Sequence, residues 1–263
     1  MAAIISPPRI TTANPMIERR IRRYKNGVFT WEEAPFADEC RVDILVGGQR
    51  RASVMASPFE LESLAVGFLF GEGSIGDIGD IKSLSVKGTE VFVELYQKNT
   101  ASLSVTWENV ETELFPVNKS CLNLKAADIL SLSEDFNSHS YLFHQTGAVH
   151  SCRLIDGSRY YHADDVARHN ALDKVIGQYL INGPCGGPAL VLTTGRISSE
   201  LLLKSAKAGI GVIISRSAAT DLAVDLARRL NMVMIGFSRQ GRFNVYNGGE
   251  MFEGAPLKHL TAY

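Results

Sequence analysis

The sequence predicts an α/β protein in which a parallel sheet flanked by helices follows a small α+β unit. In the last third of the chain, three apolar segments (ALVLTT, IGVIIS and MVMIGFS) alternate with two segments of helical periodicity. This alternation of strands and helices is typical of a parallel sheet with crossover connections. Earlier in the chain, short alternating segments separated by glycine turns predict antiparallel strands around one helix.

Composition and charge place the chain among soluble globular proteins. Of its 263 residues, 45% are hydrophobic and 21% are charged, and the formal net charge of −1 argues against a dedicated nucleic-acid-binding protein. No apolar run approaches the ~18 residues of a membrane span, and the N-terminus lacks the apolar segment of a secretory signal. Four cysteines are too few for a disulfide scaffold, so we expect reduced thiols in a cytoplasmic protein.

The first part of the chain divides into a leader and a small unit. Residues 1–30 include the basic stretch IERRIRRYKNG, which could form an edge strand or a short helix and is interpreted as a solvated arm. Residues 31–117 are interpreted as the α+β unit. CRVDILV and RRASVMA predict a hairpin around a Gly-Gly turn. The next helix is predicted to be N-capped by Ser57, with Glu60 completing a capping box. Further strands are predicted in IKSLSV, EVFVELY and SLSVTW.

The second unit, residues 118–263, contains the predicted sheet. A helix is predicted at about residues 125–136, after the stretch NKSCLNLK. AVHSCRLI and RYYHADD then predict a hairpin around an Asp-Gly turn, and ARHNALDKVIGQYLI predicts a helix. The three apolar strands and their two helices follow.

Each of the three predicted parallel strands is followed by a hydroxyl side chain and an arginine. These arginines are Arg196, Arg216, and the pair Arg239 and Arg242. Carboxyl ends of parallel strands meet at one edge of the sheet, where helix N-termini favour anions and arginine suits phosphate. The edge therefore predicts a site for a phosphorylated ligand, and the alternative is that the arginines are solvated loop residues. Neither a Walker motif nor a dinucleotide-type glycine loop is present.

A second charged cluster, HADDVARHNALDK, carries Arg168 and His169 after two aspartates. On a helix, His169 and Asp173 are i,i+4 neighbours, and a histidine paired with a carboxylate can transfer protons or hold an anion. The structural alternative is a helix whose N-terminus is capped by Asp164 or Asp165.

Three cysteines (Cys40, Cys152 and Cys185) and one strand histidine (His150) are predicted to have no catalytic role. Cys40 and Cys152 lie on alternating strands, and His150 in TGAVH is interpreted as structural. Cys185 in GPCGGP has the context of half a zinc-deaminase motif, but Pro188 occupies the second cysteine position and no His-x-Glu partner exists. No metal site is therefore expected.

Five segments carry a family resemblance in their order along the chain: SPFELESLAVGFLFGEGSI, TGAVHSC, DDVARHNALDKVIG, TTGRISSELLLKSAKAG and GFSRQGRFNVY. They resemble the FdhD/NarQ family of formate dehydrogenase accessory sulfurtransferases over roughly residues 31–250. The Asp-Val-x-Arg-His-Asn-Ala-x-Asp-Lys and Thr-Gly-Arg-x-Ser blocks are the most specific. Where the family has a glycine, this chain has Ala167, which predicts a negative φ there.

The resemblance implies a cytidine-deaminase-like sheet, mixed or parallel, flanked by helices and preceded by the small α+β domain. It also implies a cytoplasmic homodimer that receives persulfide sulfur from a cysteine desulfurase. The sulfur passes to molybdenum- or tungsten-bis(molybdopterin guanine dinucleotide), which is bound transiently and inserted into formate dehydrogenase. The residues expected to bind this cofactor are Phe237, Ser238, Arg239, Gln240, Gly241 and Arg242, with Arg196, Arg216, Arg168 and His169.

The family's persulfide loop, Ser-Cys-Gly-x-Cys-Gly, reads SCLNLK in this chain. Cys121 keeps the first cysteine and is the expected persulfide carrier, whereas Leu124 replaces the second. Lys119 and Lys125 flank Cys121 and favour its thiolate. Two hypotheses follow: a sulfurtransferase that works with Cys121 alone, or a cofactor-holding chaperone that has lost sulfur transfer. A deaminase-like hydrolase is disfavoured because its metal ligands are missing.

Overall fold

The computed structural model describes residues 15–96, 124–185 and 189–252. The strands in these ranges form a two-stranded ribbon, a four-stranded sheet and a six-stranded sheet. Helices flank the two larger sheets, which mix parallel and antiparallel pairs. The predicted mixed α/β fold class is confirmed.

The N-terminal ribbon pairs β1 (Met16–Lys25) with β2 (Val28–Ala37) in antiparallel register. Within the described residues, the basic stretch of the predicted arm therefore forms a strand, and its hairpin partner crosses the predicted boundary between residues 30 and 31. In β1, Ile17 and Ile21 lie on one face of the strand and Arg20 and Arg22 on the other, because successive side chains of a strand point to opposite sides.

The small unit contains a four-stranded sheet in the order β4-β3-β6-β5. β3 and β6 pair in parallel, and the other two pairs are antiparallel. The hairpin and the first two of the three further strands are confirmed, whereas SLSVTW lies outside the described residues. The elements are β3 (Cys40–Val46), β4 (Gln49–Ala56), α1 (Leu61–Gly71), β5 (Ile81–Lys87) and β6 (Glu90–Leu95).

Helix α1 begins at Leu61, so the predicted capping box is wrong. Glu60 is the N-cap residue, with a left-handed φ of 55° and no capping hydrogen bond from its side chain. Its carboxylate instead accepts a hydrogen bond from Nε2 of Gln178 (2.9 Å). The backbone N–H of Ser57 donates to Asp165 (3.2 Å). Contacts with the second unit have replaced the local cap.

The second unit contains a six-stranded sheet in the order β12-β11-β10-β9-β7-β8. β9, β10 and β11 are parallel, as predicted, while β7, β8 and β12 add antiparallel strands at the edges. β12 was not predicted. The elements are α2 (Ala126–His139), α3 (Tyr141–Thr146), β7 (His150–Asp156), β8 (Arg159–Asp165), α4 (Arg168–Asn182), β9 (Ala189–Thr193), α5 (Ser199–Lys207), β10 (Ile210–Ser215), α6 (Asp221–Arg229), β11 (Val233–Arg239) and β12 (Arg242–Asn247).

Helices cover both faces of the large sheet. One face packs on α4, α5 and α6, and the same apolar cluster continues into α1 and the small sheet. The other face packs on α2 through Ile129 and Phe136, which join a cluster with Leu192 and Ile214. Every residue of β10 is therefore buried, as its continuous apolar sequence predicts.

Helices α1 and α4 approach each other so closely that their backbones touch. A methyl group at Gly67 of α1 would overlap the carbonyl of Asp173, and one at Gly177 of α4 would overlap the carbonyl of Ser63. Each helix thus places a glycine against the backbone of the other. This crossing joins the small unit to the large one.

Two buried ion pairs lie beside the crossing. Nζ of Lys174 is 2.8 Å from a carboxylate oxygen of Asp165, and both side chains are fully buried. Nζ of Lys204 is 2.9 and 2.8 Å from the two carboxylate oxygens of Asp173. Burial raises the pKa of Asp173 to about 6, against the opposing attraction of Lys204. Asp173 is therefore mostly ionised at neutral pH.

Replacing either crossing glycine with alanine is expected to destabilise the protein. Gly67→Ala or Gly177→Ala would push the helix backbones apart and lower the free energy of unfolding by about 1–3 kcal/mol, measured by urea denaturation. In an unobstructed helix interior the same change stabilises by ~1 kcal/mol, so the sign is diagnostic. The control is Gly249→Ala, where the added methyl group would meet no atom within 4 Å. Equal or higher stability in the crossing variants would contradict the prediction.

Candidate functional site

Hydroxyl groups tie the strand ends of the large sheet together. Oγ of Ser217 donates to the carbonyl of Thr194 (2.8 Å), and Oγ of Ser215 donates to the carbonyl of Gly195 (2.6 Å). The backbone N–H of Phe237 donates to the carbonyl of Ser217 (2.9 Å). The hydroxyls that the sequence placed beside the arginines therefore fix the turns after β9 and β10.

A cavity of about 410 Å³ opens at this edge of the sheet. Arg216 and Arg239 reach it from the ends of β10 and β11, and His150 reaches it from the start of β7. Two arginines and several apolar groups in one wall suit an anion attached to a ring or chain. The lining residues are Phe143, Gly147, Ala148, Val149, His150, Val166, Thr194, Arg216, Ser217 and Arg239.

A second cavity, of about 560 Å³, shares Phe143, Arg216 and Arg239 with the first. Its other walls come from one side of α2 and from the β11–β12 turn, including Gln240 and Gly241. Because both cavities use the same two arginines, one extended anionic ligand can contact both. The predicted strand-edge site is therefore brought together around these arginines.

Two of the four strand-end arginines do not line either cavity. Arg196 and Arg242 are both exposed. Arg242 faces Arg239 across the two-residue turn of Gln240 and Gly241, whose φ angles are 55° and 71°. Positive φ at both positions is typical of a tight hairpin turn, which explains why the chain reverses into β12.

Phe237 and Ser238, also expected to bind the cofactor, do not line either cavity. Ser238 is buried, and its hydroxyl lies 2.6 Å from that of Ser133 on α2, an interaction that fixes this helix to β11. Phe237 has a left-handed φ of 51°, unusual for a bulky residue. Its ring lies 5.8 Å from the guanidinium of Arg239. Phe237 therefore contacts the site through Arg239.

The predicted pairing of His169 with Asp173 is wrong. Nε2 of His169 lies 3.3 Å from Oγ of Ser198 and 3.7 Å from the carboxylate of Glu200. Asp173 points to the other side and binds the buried Lys204. The lysine is the stronger partner because Asp173 is buried and needs a full positive charge.

The alternative of a helix capped by Asp164 or Asp165 is also wrong, because Ala167 is the N-cap residue of α4 and no side chain makes a capping hydrogen bond there. Oδ1 of Asp165 accepts hydrogen bonds from the backbone N–H of Ala167 (2.9 Å) and from Nδ2 of Asn170 (3.0 Å). Ala167 has a φ of −111°, as predicted from the absence of the family's glycine.

His150 lines the first cavity, and the charge of Arg168, which does not line it, acts on His150 from nearby. The stem of Arg168 packs on Gly195, where an added methyl group would come within 2.8 Å of its Cβ. Its Nε is buried and has no hydrogen-bond partner in the described part of the chain. Burial, followed by the charge of Arg168, lowers the pKa of His150, so its imidazole is neutral at pH 7.

The hydroxyl of Thr194 is the hydrogen-bond neighbour of His150. Oγ1 of Thr194 accepts the backbone N–H of Ser151 (3.0 Å) and lies 3.3 Å from Nδ1 of His150. If the threonine hydroxyl donates to Nδ1, Nε2 carries the proton and is a donor for a ligand. Interpreting His150 as a structural histidine missed this position in the cavity wall. The signal was its place in the TGAVH motif, one turn after helix α3.

The cysteines differ sharply in their surroundings. Cys121 lies outside the described residues. Cys152 is buried, and desolvation raises the pKa of its thiol to about 12, while partial burial also raises the pKa of Cys40. Cys185 is exposed, and its sulfur accepts a hydrogen bond from Nε of Arg159. The predicted inertness of Cys152 is consistent with this environment.

Within residues 15–96, 124–185 and 189–252, no three His, Cys, Asp or Glu side chains gather closely enough to hold a metal ion. In the same ranges, no helix has the length and apolar character needed to cross a membrane.

Comparison with known proteins extends the resemblance over most of the chain. The model of the FdhD/NarQ family matches residues 37–253. Proteins named sulfur carrier protein FdhD from Listeria innocua and Staphylococcus haemolyticus are each 36% identical over 252 and 248 residues, covering 88% of this chain and 97% and 94% of theirs. A crystal structure from Desulfotalea psychrophila, provisionally assigned as a formate dehydrogenase accessory protein, has a TM-score of 0.78 and 30% identity over 91% of this chain and 100% of its own.

The different environments of Cys152 and Cys185 predict different thiol reactivity. Iodoacetamide at pH 8 should label Cys185 in the native protein and leave Cys152 unmodified, because the Cys152 thiol is buried and protonated. Peptide mass spectrometry measures both sites, and labelling in urea is the control that should expose Cys152. Rapid native labelling of Cys152 would contradict its buried position.

Proposed function

Because this chain belongs to the FdhD/NarQ family, we propose that it is a cytoplasmic sulfur carrier in formate dehydrogenase maturation, acting as a homodimer. It accepts persulfide sulfur from a cysteine desulfurase on Cys121. It then delivers that sulfur to molybdenum- or tungsten-bis(molybdopterin guanine dinucleotide), the cargo that formate dehydrogenase receives. The names of the relatives and of the structural neighbour support the sulfur-carrier and accessory roles.

The observation that carries the cofactor half of the proposal is the pair of cavities sharing Arg216 and Arg239. A bis-dinucleotide is bulky and carries several phosphates, and two guanidinium groups between connected cavities suit such a ligand. Phe143 offers an apolar surface to a ring, and neutral His150 offers a hydrogen bond without adding charge. Of the remaining expected residues, Gln240 and Gly241 line the second cavity, and the Phe237 ring packs near the guanidinium of Arg239.

The sulfur half of the proposal rests on Cys121. Its thiolate attacks the outer sulfur of the desulfurase persulfide, the S–S bond of that persulfide breaks, and the desulfurase thiolate leaves. Cys121 then carries the persulfide. Releasing the outer sulfur as sulfide requires two electrons, which a second cysteine would supply by forming a disulfide. With Leu124 in that position, the electrons come from another thiol, from a reductant or from the acceptor itself.

The second candidate function is a chaperone that holds the cofactor without transferring sulfur. Leu124 favours it, because the pair of cysteines in the family's loop is incomplete in this chain. Cys121 and its flanking lysines favour the carrier. The two candidates share the cavities and differ only in the chemistry of Cys121.

Removing the cavity arginines is expected to weaken nucleotide binding. With GDP as the probe in isothermal titration calorimetry at fixed salt, Arg216→Gln and Arg239→Gln should each raise Kd about tenfold, since a hydrogen bond to a charged group contributes ~1.5–3 kcal/mol. Arg196→Gln and Arg242→Gln are matched controls, because these exposed arginines line neither cavity. Equal losses in all four variants would show that GDP senses only net charge, and no loss would place the site elsewhere.

Loading of sulfur on Cys121 is tested by intact-mass analysis after incubation with a cysteine desulfurase and free cysteine. The wild type should gain about one sulfur atom, and Cys121→Ala should not. Cys185→Ala is the control, because it removes the exposed thiol of the described chain and should leave the gain intact. No gain on a protein that still binds GDP would reject the carrier and favour the chaperone.

A further inference from the structure

One face of the N-terminal ribbon exposes aromatic rings and stacked arginines. Directly opposed residues of an antiparallel pair point to the same side, and Tyr24 opposes Phe29, Arg22 opposes Trp31 and Arg20 opposes Glu33. We propose that this surface, the aromatic face, is where two copies of the chain associate. Its members are Glu18, Arg20, Arg22, Tyr24, Phe29, Trp31 and Glu33.

The rings of the aromatic face are largely open to solvent. Tyr24, Phe29 and Trp31 are 62%, 56% and 60% exposed. The guanidinium of Arg20 lies 5.0 Å from the centre of the Trp31 ring, and that of Arg22 lies 4.5 Å from the centre of the Phe29 ring. Stacking holds each guanidinium in place and leaves its N–H groups available at the edge. Trp, Tyr and Arg are the residues that dominate binding energy at protein interfaces.

The ribbon contacts helix α3 through β2, but most of its residues are exposed. Of its twenty strand residues in β1 and β2, Ala34 is the one classed as buried. An isolated two-stranded hairpin is marginally stable in water, and it needs a further layer against one face. A contiguous group of exposed rings on a monomer indicates a surface that another molecule covers.

The charges of the aromatic face favour a second copy as that molecule. The face carries Arg20 and Arg22 together with Glu18 and Glu33, so its two signs are balanced. A two-fold interface applies the same patch to itself, and a balanced patch can pair each arginine with a carboxylate of the partner. The glutamates disfavour a nucleic-acid strand by repelling phosphates. A strongly acidic partner protein would instead favour a surface with positive charge only, which the aromatic face is not.

The area of the rings is in the range that a dimer needs. At these exposures, three rings of ~150–250 Å² each leave on the order of 350 Å² accessible per chain. That is close to half of the ~800 Å² that each partner contributes to an interface of standard size. Arginine stems and flanking strand residues would supply the remainder.

This inference rests on the homodimer in the proposed function and names its surface. Reversing the charges of the aromatic face tests the proposal without assuming how the two faces align in the dimer. Arg20→Glu/Arg22→Glu makes the face entirely acidic, and Glu18→Arg/Glu33→Arg makes it entirely basic. Each double variant should weaken self-association on the order of 100-fold, because like charges would meet. An equimolar mixture of the two should recover the dimer.

Sedimentation velocity over a range of concentrations measures the assembly. Arg19→Glu/Lys25→Glu is the matched control, since it makes the same change in net charge on the opposite face of β1. It should remain as dimeric as the wild type. GDP affinity confirms that each variant is folded, and sulfur loading of the wild type on Cys121 is scored separately. Failure of the dimer therefore stays distinct from failure of the proposed function.

Dimeric wild type, two monomeric variants and a dimeric mixture would support the proposal. A monomeric wild type, variants as dimeric as the wild type, or a mixture that stays monomeric would each overturn it. If the wild type is monomeric, a labelled single-stranded RNA and the cysteine desulfurase are tested as ligands. Binding of either one that is lost in the Arg20→Glu/Arg22→Glu variant would replace the second copy with that occupant.

Discussion

The backbone contact between helices α1 and α4 is the constraint on which the rest of the structure depends. Only glycine allows this approach, and Gly67 and Gly177 supply it from opposite helices. The crossing fixes Asp173 and Lys174, neighbours on α4, where each finds a buried partner of opposite charge. Removing one partner of such a pair leaves an uncompensated charge, so α4 has essentially one position. Its first residue, Arg168, is thereby held against Gly195 in the turn after β9.

At the strand ends, short and long polar side chains have different roles. The hydroxyls of Thr193, Ser215 and Ser217 satisfy carbonyl and N–H groups in the turns after β9 and β10. Arginine is long enough to leave that network, and Arg216 and Arg239 extend into the cavities. Each rigid turn thus fixes the Cα position of the arginine that it carries. This arrangement suits anion binding because little order is lost when the ligand arrives.

In the proposed function, cofactor binding and sulfur chemistry depend on different parts of this chain. The cavities require a folded sheet edge with two arginines, whereas persulfide transfer requires one accessible thiolate. Substitution of the second loop cysteine by Leu124 alters only the second requirement. The ribbon is a third surface, with balanced charges and exposed rings, to which we assign the proposed association of two copies. Under these proposals, a change in the Cys121 loop would leave cofactor binding and association of the chain unchanged.

The parallel strands, most helices, the arginine-bearing edge and the family could be predicted from the sequence. These features depend on local hydrophobic periodicity and on short motifs that can be recognised from the residues alone. The sequence did not predict the true start of α1, the partner of His169 or the place of His150. Each of these depends on a contact distant in sequence: Asp165 for Ser57, Lys204 for Asp173, and Thr194 for His150. Such partners compete with local ones, and burial decides between them because an unpaired charge or N–H costs more inside the protein than at its surface. Only the tertiary structure showed which two of the four arginines face a cavity, since strand ends share an edge but side chains at that edge point in different directions.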